Sequence, residues 1–364
     1  MKRNNGSKIF NHEKKVTEIL EQLSSVPWFK SYLEQIPEEF INMFLGSSKS
    51  KVEVSVKNDT VVETCLANPG GRINEYWRYY LAEPYPGIRI TAGNITGLMT
   101  LESIGAGIPD TRTSVIHYCV KGRCEILTRD GRYAFMEPGV LCVESHKHKE
   151  KNFNFFGEEY ECVEIAFDMT AFDEEKTAYL KSLGIDLDLM NENYDKDAEY
   201  FIGNVSPQLK DAEMELDSLM KGDAPDSLTL FLAILRINNM VKSGYVITDS
   251  SKFYLTKGQR KIVSEIHDYF INHIAEDITV EQITEKYSIS HVSLNKYFKI
   301  MYGETIPKYM HNYRMEYAAK ELIRSSKNIA EIAALVGYEN QSKFSGAFKK
   351  KYGMTPLEYR RSVS

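Results

Sequence analysis

The last hundred residues of the chain contain the same sequence pattern twice. The run from Leu294 to Tyr309 recurs as Phe344 to Tyr359, with Phe, Lys, Tyr, Gly, Thr and Tyr at corresponding positions 50 residues apart. A second match, Val280 with Ile329, lies upstream at a spacing of 49, so the second copy has one more residue in its turn. Since such a repeat is one supersecondary unit used twice, the pattern predicts two helix-turn-helix units in tandem.

Side-chain caps mark the helix starts in this region. A Thr or Asn followed three residues later by Glu or Gln satisfies two free backbone NH groups at a helix N-terminus. Four pairs fit: Thr256 with Gln259, Thr279 with Gln282, Asn328 with Glu331, and Thr355 with Glu358. We predict that Ser290 and Asn340 cap the second helix of each unit, and that Ile306 to Arg324 is one helix joining the units.

The charge of the chain is unevenly divided. The formal net charge is −6, but residues 252–364 carry eighteen Lys and Arg against twelve Asp and Glu. The residues before them carry 27 basic and 39 acidic side chains. An acidic body followed by a basic region indicates a polyanionic partner for that region; a chance bias of surface composition is the alternative.

The duplicated unit suits DNA recognition. An α-helix fits the major groove of B-DNA, and two such helices held about 34 Å apart meet successive major grooves on one face of the duplex. Two generic helical hairpins without a DNA role are the alternative. The duplication, the basic charge and the glycine turn together favour DNA binding.

The second unit carries a specific family signature. It consists of IAEIAALVGY at 329–338 and FSxxFKxxYGMTPxxYR at 344–360. In these residues, and in the joining-helix pattern of Arg314, Ala318 and Leu322, the sequence resembles the DNA-binding domain of the AraC/XylS family of bacterial transcription regulators. The first unit departs from the family pattern at Thr284 and Ser288, where a small Ala and a Gly are usual.

The resemblance implies which side chains contact DNA bases. On the first recognition helix the family's base-reading positions fall on Val292, Asn295 and Lys296. Their chemistry is suitable, because Asn pairs with adenine, Lys with guanine, and Val contacts the thymine methyl group. On the same face of the second helix, the predicted base-reading residues are Ser342, Lys343 and Ser345. Gly346 replaces a long polar side chain of many relatives, so we expect weaker base reading there.

Other polar residues of the two units are predicted to anchor the DNA backbone. The predicted phosphate contacts are His291, Lys299, Gln341, Lys349 and Lys350. The neighbouring Lys351, Arg360 and Arg361 are expected to contact phosphate or to solubilise the surface. Arg314, on the joining helix, is expected to form a structural ion pair instead.

The middle of the chain has a different pattern. Between Gly87 and Asp168, short apolar runs are separated by turn signals such as Lys121-Gly122, Pro138-Gly139 and Phe156-Gly157, as is typical of a β-sandwich or barrel. The family resemblance implies a cupin-like effector-sensing barrel. The predicted fold class is therefore multidomain α+β, with an N-terminal cupin-like β-barrel with flanking helices and a C-terminal all-α domain of two helix-turn-helix units joined by a linker helix.

These patterns divide the chain into four predicted parts. They are a short helical N-terminal segment at 1–60, the barrel at 61–170, a helical connector and dimerisation region at 171–250, and the DNA-binding domain at 251–364. Within the connector, the stretch from Leu228 to Leu235 is so densely apolar that either the barrel or a second copy of the chain must bury it. This stretch is the basis for predicting a homodimer.

The barrel mouth is the predicted effector site, because inward positions alternate along each strand. Alternation through Val115, His117 and Cys119 makes His117 a candidate. Trp77 and Tyr79 could supply a stacking surface, and Arg89 a partner for an anion or hydroxyl group. Ordinary core packing is the alternative for each of these residues.

No catalytic residue, metal ligand or cofactor is predicted. His146, His148 and Glu150 have cupin-like spacing, but they lie in one lysine-rich run that is typical of a solvated loop. The five cysteines show no C-x-x-C spacing. Motifs for a nucleophile elbow or a phosphate loop do not occur, so nothing in the sequence indicates an enzyme.

The predicted function is sequence-specific transcription regulation in response to a small-molecule effector. The expected partners are promoter DNA, RNA polymerase, the effector and a second copy of the chain. No apolar run is long enough to span a bilayer and no signal-peptide core is seen, so a cytoplasmic location is expected. Two alternatives remain: the N-terminal half only dimerises or binds a protein partner, or it is a cupin metalloenzyme fused to a DNA-binding module.

Overall fold

The structure is a computed structural model of two compact units, residues 1–254 and 255–364. It describes residues 51–57, 61–68, 75–96, 113–128, 131–144, 153–186, 201–222, 226–247 and 253–363. The helices predicted within the first 50 residues, the run around His146 and the polar stretch at 248–252 lie outside these ranges.

An antiparallel sheet forms the framework of the first unit. Its strands are β1 (Lys51–Lys57), β2 (Val61–Asn68), β3 (Glu75–Tyr85), β4 (Ile88–Thr96), β5 (Thr113–Leu127), β6 (Tyr133–Met136), β7 (Val140–Glu144), β8 (Phe153–Asp168), β9 (Phe201–Val205) and β10 (Val246–Ile247), and β11 (Tyr254–Leu255) lies at the unit boundary. The main path runs β1-β2-β3-β4-β8-β5-β7-β9-β10, and β6 pairs with β5. The described strands therefore form an open sheet and not the closed barrel that the sequence predicted.

Two of the predicted turns lie inside long strands. The Lys121-Gly122 pair falls within β5, where the register with β8 shifts and Gly122 has a φ of +79°. A Cβ atom at Gly122 would collide with the backbone carbonyl oxygen of Glu159, so this bulge requires glycine. Phe156-Gly157 likewise falls within β8. A glycine signals a bulge or a turn equally well, which explains the error.

The predicted boundaries within the first unit are also corrected. Residues 51–57 form strand β1, so the segment predicted as helical does not extend to residue 60. Strand β9, from the predicted connector, pairs with β7, and β10 pairs with β9. The connector thus contributes strands to the sheet, and the contact pattern places it in the same unit.

Helices of the first unit cover one side of the sheet. Within the described ranges they are α1 (Glu174–Ser182), α2 (Pro207–Lys221) and α3 (Ser227–Lys242). Leu216 of α2 and Ile234 of α3 share one core with Ile90 and Ile116 of the sheet. Only part of α3 is buried, because Leu228 and Leu232 are 65% and 55% exposed. The sheet therefore buries one side of the apolar helix and leaves the other open.

The second unit is all-helical, as predicted. Its helices are α4 (Lys257–Asn272), α5 (Val280–Lys286), α6 (His291–Tyr302), α7 (Ile306–Arg324), α8 (Ile329–Leu335), α9 (Gln341–Tyr352) and α10 (Pro356–Val363). The joining helix α7 has the predicted bounds. Reciprocal capping boxes form at Thr256, Thr279 and Asn328, and Thr355 exchanges hydrogen bonds with Glu358.

The two units of the repeat have the same aromatic core. In the first, Phe298 contacts Tyr302 and Tyr309, with ring centroids 4.7 and 5.4 Å apart. The corresponding rings around Phe348, those of Tyr352 and Tyr359, lie 4.6 and 5.4 Å away. Edge-on and tilted ring pairs of this kind add to the burial of apolar area. The sequence repeat is therefore a repeat of packing geometry.

Candidate functional site

The first recognition helix, α6, is oriented by two apolar side chains. Leu294 and Phe298 are fully buried, while Ser290 caps the N-terminus by accepting a hydrogen bond from the Ser293 NH at 3.1 Å. This geometry turns the opposite face to solvent. Val292 is 78% exposed and Lys296 is exposed, whereas Asn295 is half-buried.

Two of the predicted DNA contacts on α6 touch one another. The Nδ2 atom of Asn295 lies 3.1 Å from Nδ1 of His291, one helical turn earlier. A hydrogen bond at this spacing restricts the rotamers of both side chains. Because the amide nitrogen faces the ring, the interaction orients the Asn295 amide before any base is bound.

The second recognition helix, α9, presents a smaller set of side chains. Gln341, Ser342 and Lys343 are exposed and Ser345 is half-buried. The Asn340 side chain caps the helix by accepting from the NH groups of Ser342 and Lys343 at 2.7 and 3.1 Å. No atom lies within 4 Å of a Cβ built on Gly346, so this face of α9 is open.

The predicted phosphate-binding lysines are exposed, but their neighbour Lys351 is engaged elsewhere. Lys299, Lys349 and Lys350 all lie at the surface. The Lys351 Nζ atom donates to the Asn312 carbonyl at 2.9 Å and to the carboxylate of Glu316 at 2.7 Å. Lys351 therefore ties α9 to the joining helix.

Two arginines form equivalent clamps in the two halves of the repeat. Arg314 donates from Nε to the Ile274 carbonyl at 2.9 Å and from NH2 to the Glu276 carbonyl at 2.7 Å. Arg360 donates in the same way to the carbonyls of Leu322 and Lys327, at 3.1 and 2.7 Å.

Each clamp binds the chain between a long helix and the short helix after it. These contacts correct the predicted ion pair of Arg314, since its guanidinium donates to the backbone carbonyls of Ile274 and Glu276. Arg360, which was predicted to contact phosphate or to solubilise the surface, is likewise held by hydrogen bonds within the fold. A planar guanidinium has several donors in fixed directions, which suits two neighbouring carbonyls.

Three of the predicted effector residues lie on the neighbouring strands β3 and β4. Tyr79 pairs with Gly93 across β3 and β4, and Trp77 pairs with Ile95. Further along β4, Arg89 pairs with Ala166 of β8. The Arg89 guanidinium lies 3.9 Å from the carboxylate of Asp168.

His117 lies in a buried polar cluster. Its Nδ1 is 2.6 Å from Oε1 of Glu164, and its Nε2 is 2.6 Å from the Tyr160 hydroxyl. The Cys124 thiol donates to the same hydroxyl at 3.3 Å. Burial raises the pKa of Tyr160 and of the nearby Cys162 well above their usual values. Both groups are therefore neutral at physiological pH.

Sequence reasoning missed Tyr160, Cys162 and Glu164. All three lie on β8 at alternating positions, so they share one side of the strand. The alternation is visible in the sequence, but only the register shows that Glu164 is opposite His117 and Cys162 opposite Cys119. Knowledge of the pairing of β5 with β8 was needed to find them.

None of the helices in the described ranges combines the length and apolar character that crossing a membrane requires.

The duplicated second unit, with one recognition helix in each half, has the architecture of a helix-turn-helix DNA-binding domain. A family model described as "Helix-turn-helix domain" matches residues 283–362.

Curated relatives match about a third of the chain. The xylose operon regulatory protein of Escherichia coli K12 is 36% identical over 115 residues, which are 32% of this chain and 29% of that protein. The regulatory protein SoxS of the same strain is 28% identical over 104 residues, covering 29% of this chain and 97% of SoxS. The chain thus spans less than a third of the xylose regulator.

A solved structure also matches part of the chain. The C-terminal domain of AraT, a response regulator from Geobacillus stearothermophilus, is 37% identical and covers 28% of this chain and 84% of that chain, with a TM-score of 0.27. The family model and the curated relatives show that the C-terminal unit is a helix-turn-helix domain whose homologues are AraC/XylS-family regulators, as the sequence predicted.

Proposed function

We propose that this protein is a sequence-specific DNA-binding transcription regulator. The observation that carries the proposal is the pair of equivalent helices α6 and α9, each capped at its N-terminus and each buried on one side by a matching aromatic core. Such helices enter the major groove through their N-terminal residues. The names of two relatives, a xylose operon regulatory protein and the regulatory protein SoxS, support the same function.

The exposed side chains of the two helices suit different roles in DNA binding. Val292, Asn295 and Lys296 on α6 combine a methyl contact with two groups that form hydrogen bonds to bases. On α9, the short Ser342 and Ser345 and the open position at Gly346 leave Lys343 as the one long side chain of the predicted base-reading set. We therefore assign sequence reading mainly to α6, and anchoring on the DNA backbone mainly to α9.

Backbone anchoring is assigned to residues outside the base-reading set. His291, Lys299, Gln341, Lys349 and Lys350 are exposed at the two recognition helices. Charged residues at such positions bind phosphate without regard to sequence and release counterions. Binding should therefore weaken steeply as the salt concentration rises.

The first unit is proposed to bind a small-molecule effector. Tyr79, Arg89 and His117, with Trp77 at a neighbouring register position, are the proposed contact residues. The support is the buried polar cluster at His117, because an apolar core with a few convergent polar groups is the usual form of a ligand site. A cupin-like relationship of this open sheet is part of the same proposal.

A homodimer is proposed through α2 and α3. The exposed Leu228 and Leu232 lie on α3. Leu232 also lines a groove with the apolar Ala212, Leu219 and Ala233 and the polar Glu215, Thr229 and Arg236. An apolar patch of this kind on a helix pair suits an isologous interface with a second copy. RNA polymerase contact and a cytoplasmic location are proposed on the family resemblance alone.

Salt-dependent binding to the DNA upstream of the protein's own gene tests the regulator proposal. Fluorescence anisotropy of the full chain with that DNA should give a Kd that rises with salt, with a logarithmic slope of several units. Lys350→Ala should lower this slope by about one unit. The absence of salt-sensitive binding to any promoter region would contradict the proposal.

A further inference from the structure

Three potential metal ligands converge in the core of the first unit. Nitrogen of His117, sulfur of Cys162 and a carboxylate oxygen of Glu164 all lie within 4.8 Å of one another. His117 and Cys162 are buried, and the Glu164 side chain is 35% exposed. None of the three is among the predicted DNA-contacting residues, and His117 is also one of the residues proposed to contact the effector.

The strand register fixes this convergence. Glu164 on β8 is directly opposite His117 on β5, and Cys162 lies two residues earlier on the same side of β8. Side chains at directly opposed positions have Cβ atoms about 4.5–5.5 Å apart, within reach of one shared ion. Because β8 also pairs with β4, the strand that supplies two of the ligands is central in the sheet.

We propose that His117, Cys162 and Glu164 form a binding site for a divalent transition-metal ion of the zinc class. An imidazole nitrogen, a thiolate and a carboxylate are the three ligand types that zinc takes in proteins. Magnesium and calcium prefer oxygen ligands alone, so the set discriminates against them. Three protein ligands would leave the fourth tetrahedral position to a solvent molecule, and Glu164 is the partly exposed ligand of the three.

The surroundings of His117 match those of a metal ligand. Its Nε2 atom is 2.6 Å from the Tyr160 hydroxyl, which leaves Nδ1 directed at Glu164. Metal-binding histidines characteristically use the second ring nitrogen in such a hydrogen bond, which fixes the ring orientation. The Cys124 thiol in turn holds the hydroxyl at 3.3 Å.

Metal binding requires a defined movement of protons. Nδ1 of His117 must present a lone pair to the ion, so the ring proton is carried on Nε2 and donated to the oxygen of Tyr160. The Cys162 thiol releases its proton to solvent as the sulfur–metal bond forms. The proton of the short contact between Nδ1 and Glu164 is also released to solvent, and each of these two atoms then forms a bond to the ion.

Metal titration of the purified full chain tests the proposal. We expect one zinc ion per chain in competition with a chromophoric chelator, and, with cobalt(II) as the probe, a sulfur-to-metal charge-transfer absorption. Cys162→Ser should abolish this absorption, and Glu164→Gln should weaken zinc binding by at least about tenfold. Cys142→Ser is the matched control, because Cys142 is a buried thiol of the same core outside the ligand group.

The readouts distinguish this site from metal bound elsewhere. Circular dichroism establishes whether Cys162→Ser is folded; if it is not, the affinity of Glu164→Gln decides, because that substitution is conservative and partly exposed. A wild-type chain that binds no zinc at micromolar concentration would overturn the proposal. Unchanged zinc affinity in Glu164→Gln, or the charge-transfer absorption in Cys162→Ser, would also overturn it. None of these results depends on DNA binding.

Discussion

Ser288 and Gly337 occupy the corresponding turns of the two helix-turn-helix units, and both have left-handed backbones, with φ of +50° and +79°. Ser288 is the one non-glycine residue with positive φ among the described residues. The first unit thus forms the same turn as the second without the residue that favours it. A left-handed conformation costs a residue with a Cβ about 1 kcal/mol or more.

Replacing Ser288 with glycine should therefore stabilise the protein. We expect Ser288→Gly to raise the free energy of unfolding by up to about 1 kcal/mol, since the relief of strain exceeds the added entropy of the unfolded chain. Urea denaturation followed by circular dichroism measures the change. Gly337→Ala is the matched control and should destabilise, because its Cβ would lie 2.7 Å from the Ala275 carbonyl oxygen. A stability loss in Ser288→Gly would contradict this explanation.

Gly346 should tolerate a side chain that stabilises α9. The position is exposed within the helix and a Cβ there meets no atom within 4 Å. Gly346→Ala should raise the free energy of unfolding by about 0.8–1.0 kcal/mol through helix propensity. Gly353→Ala should destabilise, because Gly353 ends the helix with a φ of +76°. Equal effects of the two substitutions in urea denaturation would show that backbone conformation does not set the difference.

We expect Arg360 to stabilise the protein through its hydrogen bonds to two backbone carbonyls and not through its charge alone. Arg360→Lys keeps the charge but loses the two-carbonyl clamp on Leu322 and Lys327. We expect a loss of about 1–3 kcal/mol in the free energy of unfolding. Arg361→Lys, at an exposed neighbouring position, should have little effect. If Arg360→Lys kept full stability and weakened DNA binding, Arg360 would be a phosphate ligand instead.

Glu213 should make the first unit less stable as the pH rises. Burial raises its pKa from 4.5 to about 8, and its Oε1 atom has no hydrogen-bond partner among the described residues. Between pH 4.5 and 8 the unfolded chain loses this proton while the folded chain keeps it. The contribution of neutral Glu213 to the free energy of unfolding is therefore complete below pH 4.5 and is lost as the pH rises through 8.

Glu213→Gln removes this titration. The variant should lose less unfolding free energy than the wild type between pH 5 and pH 8, measured by urea denaturation at both values. Asp211→Asn, an exposed carboxylate on the same helix, should leave the pH dependence of the wild type unchanged. A Glu213→Gln protein with the wild-type pH dependence would show that Glu213 is not buried as a neutral acid.

The C-terminal unit could be predicted from sequence almost completely, because its determinants are local. Capping residues such as Thr279 and Asn328 and the buried rings of Phe298 and Phe348 act within one or two helical turns, so their spacing is visible in the sequence. The left-handed turn at Ser288 could be located only through its repeat partner Gly337. The bonds of Arg314 could not be inferred, because they join residues 40 positions apart.

The first unit was predicted less well, because its determinants are not local. The runs around Cys124 and Tyr133 indicated strands correctly, but Gly122 marked a bulge where a turn was predicted. The cluster at His117 depends on Glu164, which lies 47 residues away in sequence. Only the pairing of β5 with β8 brings Glu164 to the histidine, and no local pattern contains that information.

Selection of DNA sequences from a random pool tests most directly whether α6 reads DNA. The wild-type chain should enrich two short motifs spaced by about one helical turn, 10–10.5 base pairs. Asn295→Ala and Lys296→Ala should each lose about 1–3 kcal/mol of preference at particular base pairs, whereas Lys350→Ala should weaken binding to all sequences and keep the motif. Failure of the wild type to enrich any motif, or one identical motif at full strength in all three variants, would contradict the assignment.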